Sequence, residues 1–316
     1  MKKVYLFILF IIALLAGCNK IEFSPIDHHH SFVASVNILQ PSITFYDASK
    51  KLIAKWELDK AYTGAELIGQ DQIILYGHQL DEAKIFQLST GRQVGYIETG
   101  IGTTNAYYDK EEKLLFLTNS ERNSVISYDS QFEELKELKL RNYPMSMASN
   151  NGSLYVVNYK DTILSVIDIA TLTVKDEWTI DKSSNGVLIL PEMNQLWIGG
   201  HGEGSKPNQT IDVLDLETGK VINQLQASIM PIGFSRNENT IYVTNHGSNE
   251  LCAFTVQGEL LWKTEVGANP FVVTTFQDEL VVAGYDDHTI YYLSGQSIQK
   301  SIETEKGPFQ LLVREV

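Results

Sequence analysis

The chain has 316 residues, of which 43% are hydrophobic and 20% are charged, an ordinary composition for a globular protein. Its 39 acidic and 25 basic residues give a formal net charge of −14 and a sequence pI near 4.9. Nucleic-acid binding needs clustered Lys and Arg side chains to neutralise phosphates, and the sequence has no such cluster. The composition therefore excludes a nucleic-acid-binding protein, and the acidity favours solubility.

Residues 1–17 have the pattern of a secretory signal peptide. Two lysines precede an apolar run of eleven residues, Val4–Leu14. A transmembrane helix needs about 20 apolar residues, so this run fits the core of a signal peptide instead. The run leads into the tetrapeptide LAGC, ending at Cys18, which resembles the lipobox of bacterial lipoproteins. The resemblance implies cleavage before Cys18 and a lipid on its thiol, which would anchor the mature protein to the cell membrane outside the cytoplasm.

Residues 18–30 are predicted to be the lipidated cysteine and a solvated tether, because Ser24-Pro25 and mixed polarity argue against a regular element. The tether ends in three consecutive histidines, His28–His30, which leaves divalent-metal binding open as an alternative. Adjacent imidazoles without other ligands seldom form a specific site, so neither a metal site nor a cofactor is predicted. With lipid on Cys18, Cys252 has no disulfide partner, and its place within a strand predicts a small buried thiol.

Residues 31–316 repeat one pattern seven times. A short apolar strand recurs every 39 to 45 residues, followed each time by a second strand, a reversal and a third strand. The copies of the apolar strand end at Val36, Gly77, Asn119, Asn158, Gly200, Asn245 and Gly284. Four strands per unit of about 40 residues are typical of a β-propeller blade. The sequence therefore predicts an all-β fold in one domain: a seven-bladed β-propeller with four-stranded antiparallel blades, expected to be a monomer.

The two ends of the repeat region predict how the ring closes. A proline recurs before the next unit, at Pro144, Pro231, Pro270 and Pro308. Only one further strand, Phe309–Val313, follows the last of these prolines, and the first unit has no innermost strand before Phe32. We therefore predict that Phe309–Val313 is the innermost strand of the sheet that residues 32–58 complete, which would protect the edges of both ends.

Three of the repeats carry a family resemblance. The strands LFLTN (Leu115–Asn119), LYVVN (Leu154–Asn158) and IYVTN (Ile241–Asn245) resemble the YVTN-repeat, surface-layer-like family of β-propellers, and so do the hairpins at 164–180 and 211–225. The terminal Asn is absent from four of the seven copies. The resemblance implies a propeller in a cell-envelope setting. Its relatives include binding propellers and lactonases, so the chemistry stays open.

Polar and aromatic residues follow the repeated apolar strand, where the loops of a propeller gather on one face around its axis. The candidate ligand rim consists of His78, Arg122, Tyr159, His201, Glu203, His246, Tyr285, Asp286 and His288. His201 and His246 lie in adjacent blades and are expected to approach each other, whereas His78 is expected to lie across the ring. Three interpretations remain: hydrogen bonding within the loops, a rim that binds a ligand, or a catalytic or metal site that also uses Asp287.

The sequence contains no Gly-x-Ser-x-Gly elbow, His-Glu-x-x-His pair or phosphate-binding Gly-Lys-Ser/Thr loop, so no catalytic residue is assigned. We predict a membrane-anchored extracytoplasmic module that binds or scaffolds a protein, a peptide or a small cell-envelope ligand. The alternatives are a lactonase-like or hydrolase-like enzyme that uses the rim, and a structural envelope protein without a small ligand.

Overall fold

The structure, a computed structural model, describes residues 23–316, so the predicted signal peptide and Cys18 lie outside the described residues. Blade 1 contains β1 (Phe32–Asn37), β2 (Ser42–Tyr46) and β3 (Leu52–Glu57). Blade 2 contains β4 (Gly64–Ile68), β5 (Gln72–Tyr76), β6 (Glu82–Gln87) and β7 (Arg92–Glu98). Blade 3 contains β8 (Thr103–Asp109), β9 (Leu114–Asn119), β10 (Ser124–Tyr128) and β11 (Glu134–Lys139). Blade 4 contains β12 (Pro144–Asn150), β13 (Ser153–Asn158), β14 (Ile163–Asp168) and β15 (Thr173–Thr179).

Blade 5 contains β16 (Ser184–Leu190), β17 (Gln195–Gly200), β20 (Thr210–Asp215) and β21 (Val221–Gln226), with a small hairpin of β18 (Gly202–Glu203) and β19 (Lys206–Pro207) inserted between them. Blade 6 contains β22 (Pro231–Asn237), β23 (Thr240–Asn245), β24 (Glu250–Thr255) and β25 (Leu260–Glu265). Blade 7 contains β26 (Pro270–Phe276), β27 (Glu279–Gly284), β28 (Thr289–Ser294) and β29 (Ser297–Glu303). The last strand, β30 (Pro308–Arg314), returns to blade 1.

Single turns of 3-10 helix lie at Pro191–Met193 and His246–Ser248. Among residues 23–316, no helix is long and apolar enough to cross a membrane.

The seven four-stranded antiparallel sheets confirm the predicted seven-bladed β-propeller. The repeated apolar strand of the sequence is the second strand of each blade, counted from the axis. All six residues of β13 are buried, whereas six of the seven residues of the outermost strand β15 are exposed. Neighbouring blades cover each other's apolar faces: Trp197 of blade 5 meets Phe254 of blade 6 with ring centroids 6.2 Å apart. The ring thus buries faces that a single four-stranded sheet would leave in water.

The predicted ring closure is confirmed. Strand β30 pairs antiparallel with β1, with Phe32 opposite Arg314 and Val33 opposite Val313. The two ends of the propeller therefore meet in one sheet, and the inner edge of β1 is paired with β30.

The register of the inner strands defines two faces of the ring. In blade 2, β4 begins at Gly64 beside Tyr76 at the end of β5, and its last residue, Ile68, lies beside Gln72 at the start of β5. We call the face where innermost strands begin the upper face, and the face where they end the lower face. The loops that follow the second strands, with the predicted rim residues, all start on the upper face.

The N-terminal segment differs from the predicted solvated tether. His28, His29 and His30 are exposed, as expected of a tether. Phe23, however, stacks on Trp56 with ring centroids 4.7 Å apart, and Ile26 is buried in the apolar core shared by blades 1 and 2. The prediction missed this packing because two isolated apolar residues around Ser24-Pro25 have no recognisable period.

Cys252 confirms its predicted role as a buried thiol. It lies in β24 with 1% of its surface exposed, and it is a free cysteine within the described part of the chain. Burial raises the pKa of its thiol, which keeps the group protonated and unreactive.

Candidate functional site

The upper face carries a continuous series of aromatic rings, which we call the aromatic arc. It consists of His78, Tyr143, Tyr159, His201, His246, Phe271, Tyr285 and Phe309. Each ring centroid lies between 4.9 and 6.2 Å from the next, and every ring is half-buried. The arc runs from blade 2 through blades 4, 5, 6 and 7 to blade 1. In blade 3 the equivalent position holds Ser120, whose hydroxyl lies 3.0 Å from Nε2 of His78.

The turns that enter the innermost strands bring part of the arc to the upper face. The residue immediately before the strand has a positive φ in six blades: Gly102, Tyr143, Ser183, Met230, Asn269 and Gly307. Tyr143 has a φ of 62°, a backbone conformation that is unfavourable for a bulky side chain. Its backbone N–H donates to Oδ1 of Asn123 at 2.8 Å, which helps to hold the turn and places the ring on the rim.

His201 and His246 approach each other, as the sequence predicts. Their ring centroids lie 4.9 Å apart at an interplanar angle of 72°, and His246 also stacks on Phe271 at 4.9 Å. Nδ1 of His246 lies 2.8 Å from Oδ1 of Asn269. An amide oxygen only accepts hydrogen bonds, so this contact assigns the proton to Nδ1 and leaves Nε2 as an acceptor.

Two ring nitrogens of this pair have no hydrogen-bond partner among the described residues: Nδ1 of His201 and Nε2 of His246, both buried. Burial, assisted by the neighbouring His246, lowers the pKa of His201, so its imidazole is neutral at neutral pH. A buried polar atom without a partner costs free energy in the unbound protein. These two nitrogens are therefore the polar atoms of the pair that a ligand could supply with hydrogen bonds.

The other end of the arc has its hydrogen bonds satisfied. Nε2 of His78 contacts Ser120 and lies 3.5 Å from the hydroxyl of Tyr143, while its Nδ1 lies 2.9 Å from the amide of Gln79. The ammonium of Lys160 lies 4.1 Å from the centroid of the Tyr143 ring, a cation–π geometry. His78 therefore joins blades 2, 3 and 4, and its ring nitrogens are already engaged.

The structure places the other four predicted rim residues outside the arc. Nε of Arg122 lies 3.7 Å from Glu137, and its Nη2 donates to the carbonyl of Thr99. Glu203 is exposed on the β18–β19 hairpin, where it pairs with Lys182 at 2.8 Å.

Asp286 is exposed, and Nδ1 of His288 lies 3.0 Å from the carbonyl oxygen of Tyr285. The nearby carboxylate of Asp287 accepts hydrogen bonds from the backbone of Ala268 and the hydroxyl of Tyr291. The sequence-based cluster of imidazoles and carboxylates is therefore not assembled on the rim.

No group of three metal-binding side chains forms on the rim within residues 23–316. The group of this kind that the described chain does contain is Asp27, His28 and His29, on the N-terminal segment, and all three side chains are exposed.

The rim predicted from the sequence did not include three rings of the arc: Tyr143, Phe271 and Phe309. Each stands directly beside one of the recurring prolines, Pro144, Pro270 and Pro308. An aromatic residue next to the proline that opens an innermost strand is the signal that would have found them.

The innermost strands of blades 5 to 7 pack closely against each other. A Cβ on Gly186 would lie 1.9 Å from the carbonyl oxygen of Ile232, and one on Gly233 would lie 2.5 Å from that of Phe271. A polar pocket of about 340 Å³ opens at the β18–β19 hairpin, and Gly200 and Gly202, which flank His201, are among the residues that line it. It is lined in part by Asp181, Lys182, Ser184, Glu203, Lys206 and Asn208. The upper face therefore offers a ligand both the arc and this pocket.

Comparison with solved structures finds β-propellers of low sequence identity. A functionally unknown protein from Desulfotomaculum acetoxidans is 11% identical, with a TM-score of 0.74 over 89% of this chain and 98% of that one. Virginiamycin B lyase from Staphylococcus aureus is 14% identical, with a TM-score of 0.64 over 77% of this chain and 84% of that one. BamB from Moraxella catarrhalis is 12% identical, with a TM-score of 0.61 over 90% of this chain and 88% of that one. At such identities the likeness concerns the fold alone.

No curated protein matches this sequence. The family of prokaryotic membrane lipoprotein lipid attachment sites matches residues 1–19, which include Cys18. The chain is therefore a lipid-anchored, extracytoplasmic membrane lipoprotein that carries a seven-bladed β-propeller.

Proposed function

We propose that this lipoprotein is a binding or scaffolding module that holds a protein, a peptide or a small cell-envelope ligand on its aromatic arc. The observation that carries the proposal is the continuity of the arc across six of the seven blades. Aromatic side chains supply large contact areas at a low cost in conformational entropy, and Tyr and His add polar tips that can form hydrogen bonds. Half-buried rings held by their neighbours are already ordered before a ligand arrives.

The His201–His246 pair would give the arc its polar specificity. Nε2 of His246 is free to accept a hydrogen bond, and Nδ1 of His201 also has no partner within residues 23–316. A ligand that supplies hydroxyl or amide groups at this point would satisfy atoms that the unbound protein leaves unpaired.

An enzyme remains the second candidate, since the lyase among the structural neighbours shows that propellers of this size can be enzymes. The unprotonated Nε2 of His246 has the chemistry of a general base. The arrangement favours binding, however, because Glu203 pairs with Lys182 and Asp287 is held by Ala268 and Tyr291. Both of these carboxylates thereby have partners other than the imidazole pair. We also assign the repeats to the YVTN-repeat family as part of this proposal, on the strength of the three asparagine-ended strands.

The test uses the mature chain with Cys18→Ser, purified without lipid, and screens envelope sugars, lactones and peptides by thermal shift and calorimetry, with metal analysis alongside. We expect one class to raise Tm, and we expect His246→Ala or Phe309→Ala to weaken its binding at least about tenfold, roughly 1.4 kcal/mol. Tyr96→Ala removes an exposed ring from the outer strand of blade 2 and is the matched control. Absence of a shift with every class, or equal weakening by Tyr96→Ala, would contradict a ligand-binding arc, and turnover of a lactone would favour the enzyme.

A further inference from the structure

We infer that the N-terminal segment, residues 23–30, is a strap that fixes the orientation of the propeller on the membrane, with the lower face beside blades 1 and 2 toward the bilayer and the aromatic arc turned away from it. This inference goes beyond the proposed function and holds whatever ligand the arc binds. It rests on the contacts of the strap, on covalent chain length and on the position of the lipidated cysteine.

The outer half of the strap is held by backbone pairing and aromatic stacking. The N–H of Phe23 donates to the carbonyl of Gly91 at 2.8 Å, and the N–H of Ile26 donates to that of Leu88 at 2.8 Å. Nε1 of Trp56 donates to the carbonyl of Ser24 at 2.9 Å. A Cβ on Gly91 would lie 2.0 Å from the carbonyl oxygen of Phe23, so the turn is shaped to admit the strap.

The inner half of the strap is clamped by one buried guanidinium. Nε and Nη2 of Arg314 both donate to the carbonyl oxygen of His30, at 3.0 and 2.8 Å. Nη1 donates to the carbonyl oxygen of Gln70 at 3.0 Å, and Nη2 also donates to that of Asp27. Its guanidinium lies 4.6 Å from the centroid of the Phe32 ring, and only 2% of the residue is exposed. The clamp therefore ties the strap to the closing strand and to blade 2 with charge-assisted hydrogen bonds.

Most of these attachment points lie on the lower face. Arg314 ends β30, and Gln70 lies in the turn between β4 and β5. Leu88 and Gly91 flank the turn between β6 and β7, at the end where Gln72 pairs with Gln87. The rings of the arc lie at the opposite ends of the strands. The seven residues of β30, at about 3.3 Å each, separate the two faces by roughly 20 Å.

Chain length then decides how freely the propeller can turn. Cys18 precedes Phe23 by five residues, which span at most roughly 18 Å. Without the strap, the free length from Cys18 to Phe32 would be fourteen residues, or roughly 50 Å, enough to present either face to the bilayer. With the strap in place, the boundary between blades 1 and 2 stays close to the lipid anchor.

In a ring of seven blades, blade 5 lies across from that boundary. When the ring tilts about this anchored edge, the upper face of blade 5, with His201 and the β18–β19 hairpin, is consequently the part of the molecule farthest from the membrane. The His201–His246 end of the arc would therefore meet partners that arrive from the aqueous side of the envelope.

The test reconstitutes the full lipoprotein in phospholipid vesicles and measures energy transfer from a thiol-attached fluorophore to an acceptor confined to the bilayer surface. The buried thiol of Cys252 does not compete for the label. Ala48→Cys places the label on an exposed lower-face turn of blade 1, and Ser205→Cys places it at the exposed tip of the blade 5 hairpin. We expect several-fold higher transfer from position 48 than from position 205.

A second experiment detaches the strap from the propeller and repeats the energy-transfer measurement. The double variant Phe23→Ser, Ile26→Ser should reduce the difference in energy transfer between positions 48 and 205, while circular dichroism still reports a folded propeller. If the double variant fails to fold, inserting about ten Gly and Ser residues after Asn19, which adds up to roughly 35 Å of reach, should reduce it as well. Equal or reversed transfer in the parent protein would overturn the orientation. A difference that survives both strap release and insertion would overturn the role assigned to the strap.

Discussion

The asparagine that ends the second strand has a structural role in the blades that keep it. Asn119, Asn158 and Asn245 are all buried, with at most 1% of their surface exposed. Oδ1 of Asn119 accepts hydrogen bonds from the backbone of Glu121 and Arg122, and its Nδ2 donates to the carbonyl of Ile101 at 3.0 Å. The side chain thus closes the loop that leaves the strand and joins it to the turn that enters the blade. In blade 3 the asparagine of the repeat therefore helps to shape the rim.

Removal of this side chain should destabilise blade 3 measurably. Asn119→Ala leaves two backbone donors and one carbonyl without their partner, and we expect a loss of about 2–3 kcal/mol in the free energy of unfolding. Denaturant unfolding of the variant and of the parent protein measures this loss in the free energy of unfolding. Asn239→Ala, at an exposed turn of blade 6, is the control and should change the free energy by less than about 0.5 kcal/mol. A loss at Asn119 no larger than at Asn239 would contradict the role.

Between about pH 4.5 and pH 7, the titration of Glu66 should dominate the pH dependence of the free energy of unfolding. Glu66 lies on β4, the innermost strand of blade 2, and burial raises the pKa of its carboxyl to about 7 from 4.5, against the opposing effects of the Tyr108 N–H and Lys110. Between those values the folded protein keeps a proton that the unfolded chain releases. The resulting stabilisation is complete below about pH 4.5 and is lost as the pH rises to about 7.

We expect Glu66→Gln to remove this pH dependence, because the amide is neutral at every pH and close in shape. Above pH 7 the variant should be more stable than the parent by about 1–3 kcal/mol, while near pH 4 the two should unfold alike. Denaturant unfolding from pH 4 to 8 provides the measurement. Glu217→Gln, at an exposed turn of blade 5, serves as the control and should follow the parent. Identical pH profiles for Glu66→Gln and the parent would refute the assignment.

At the scale of elements, most strands were predictable from the sequence. The residues that form the aromatic arc on the upper face were predictable only in part. Strands such as β13 and β23 are short, β-branched and bounded by turn residues, so local pattern and repetition were enough to place them. The same repetition brought His201 and His246 together, since their loops follow adjacent copies of one strand.

The positions of the other side chains depend on long-range contacts, which a local sequence pattern does not predict. Arg122 stands at a rim position in the sequence, but a neighbouring strand supplies Glu137, and the ion pair draws the guanidinium away from the arc. Phe23 and Ile26 are too few to form a period, and their burial depends on a groove that exists only after blades 1 and 2 have packed together. Long-range packing of single side chains is therefore the part of this fold that sequence reasoning could not reach.

At the scale of the whole molecule, stability depends on closing the ring through β30. This strand supplies the innermost row of blade 1, and its Leu311 and Leu312 are buried against blades 7 and 2, respectively. Its last residue, Arg314, holds the N-terminal strap as well. Two buried leucines alone account for about 3–6 kcal/mol, a large part of the 5–15 kcal/mol that stabilises a typical domain.

Deletion of residues 309–316 should therefore leave the protein largely unfolded at 25 °C. The deletion exposes the inner edge of β1, removes both leucines and frees the three carbonyls that Arg314 binds, so that blade 1 loses its attachment to the ring. Thermal unfolding followed by far-ultraviolet circular dichroism measures the effect. Deletion of residues 315–316 alone removes only exposed residues beyond β30 and is the matched control, which should melt close to the parent. If the longer deletion melted like the control, ring closure by β30 would not be what holds the propeller together, and the stability of the molecule would have to lie in the separate interfaces between blades.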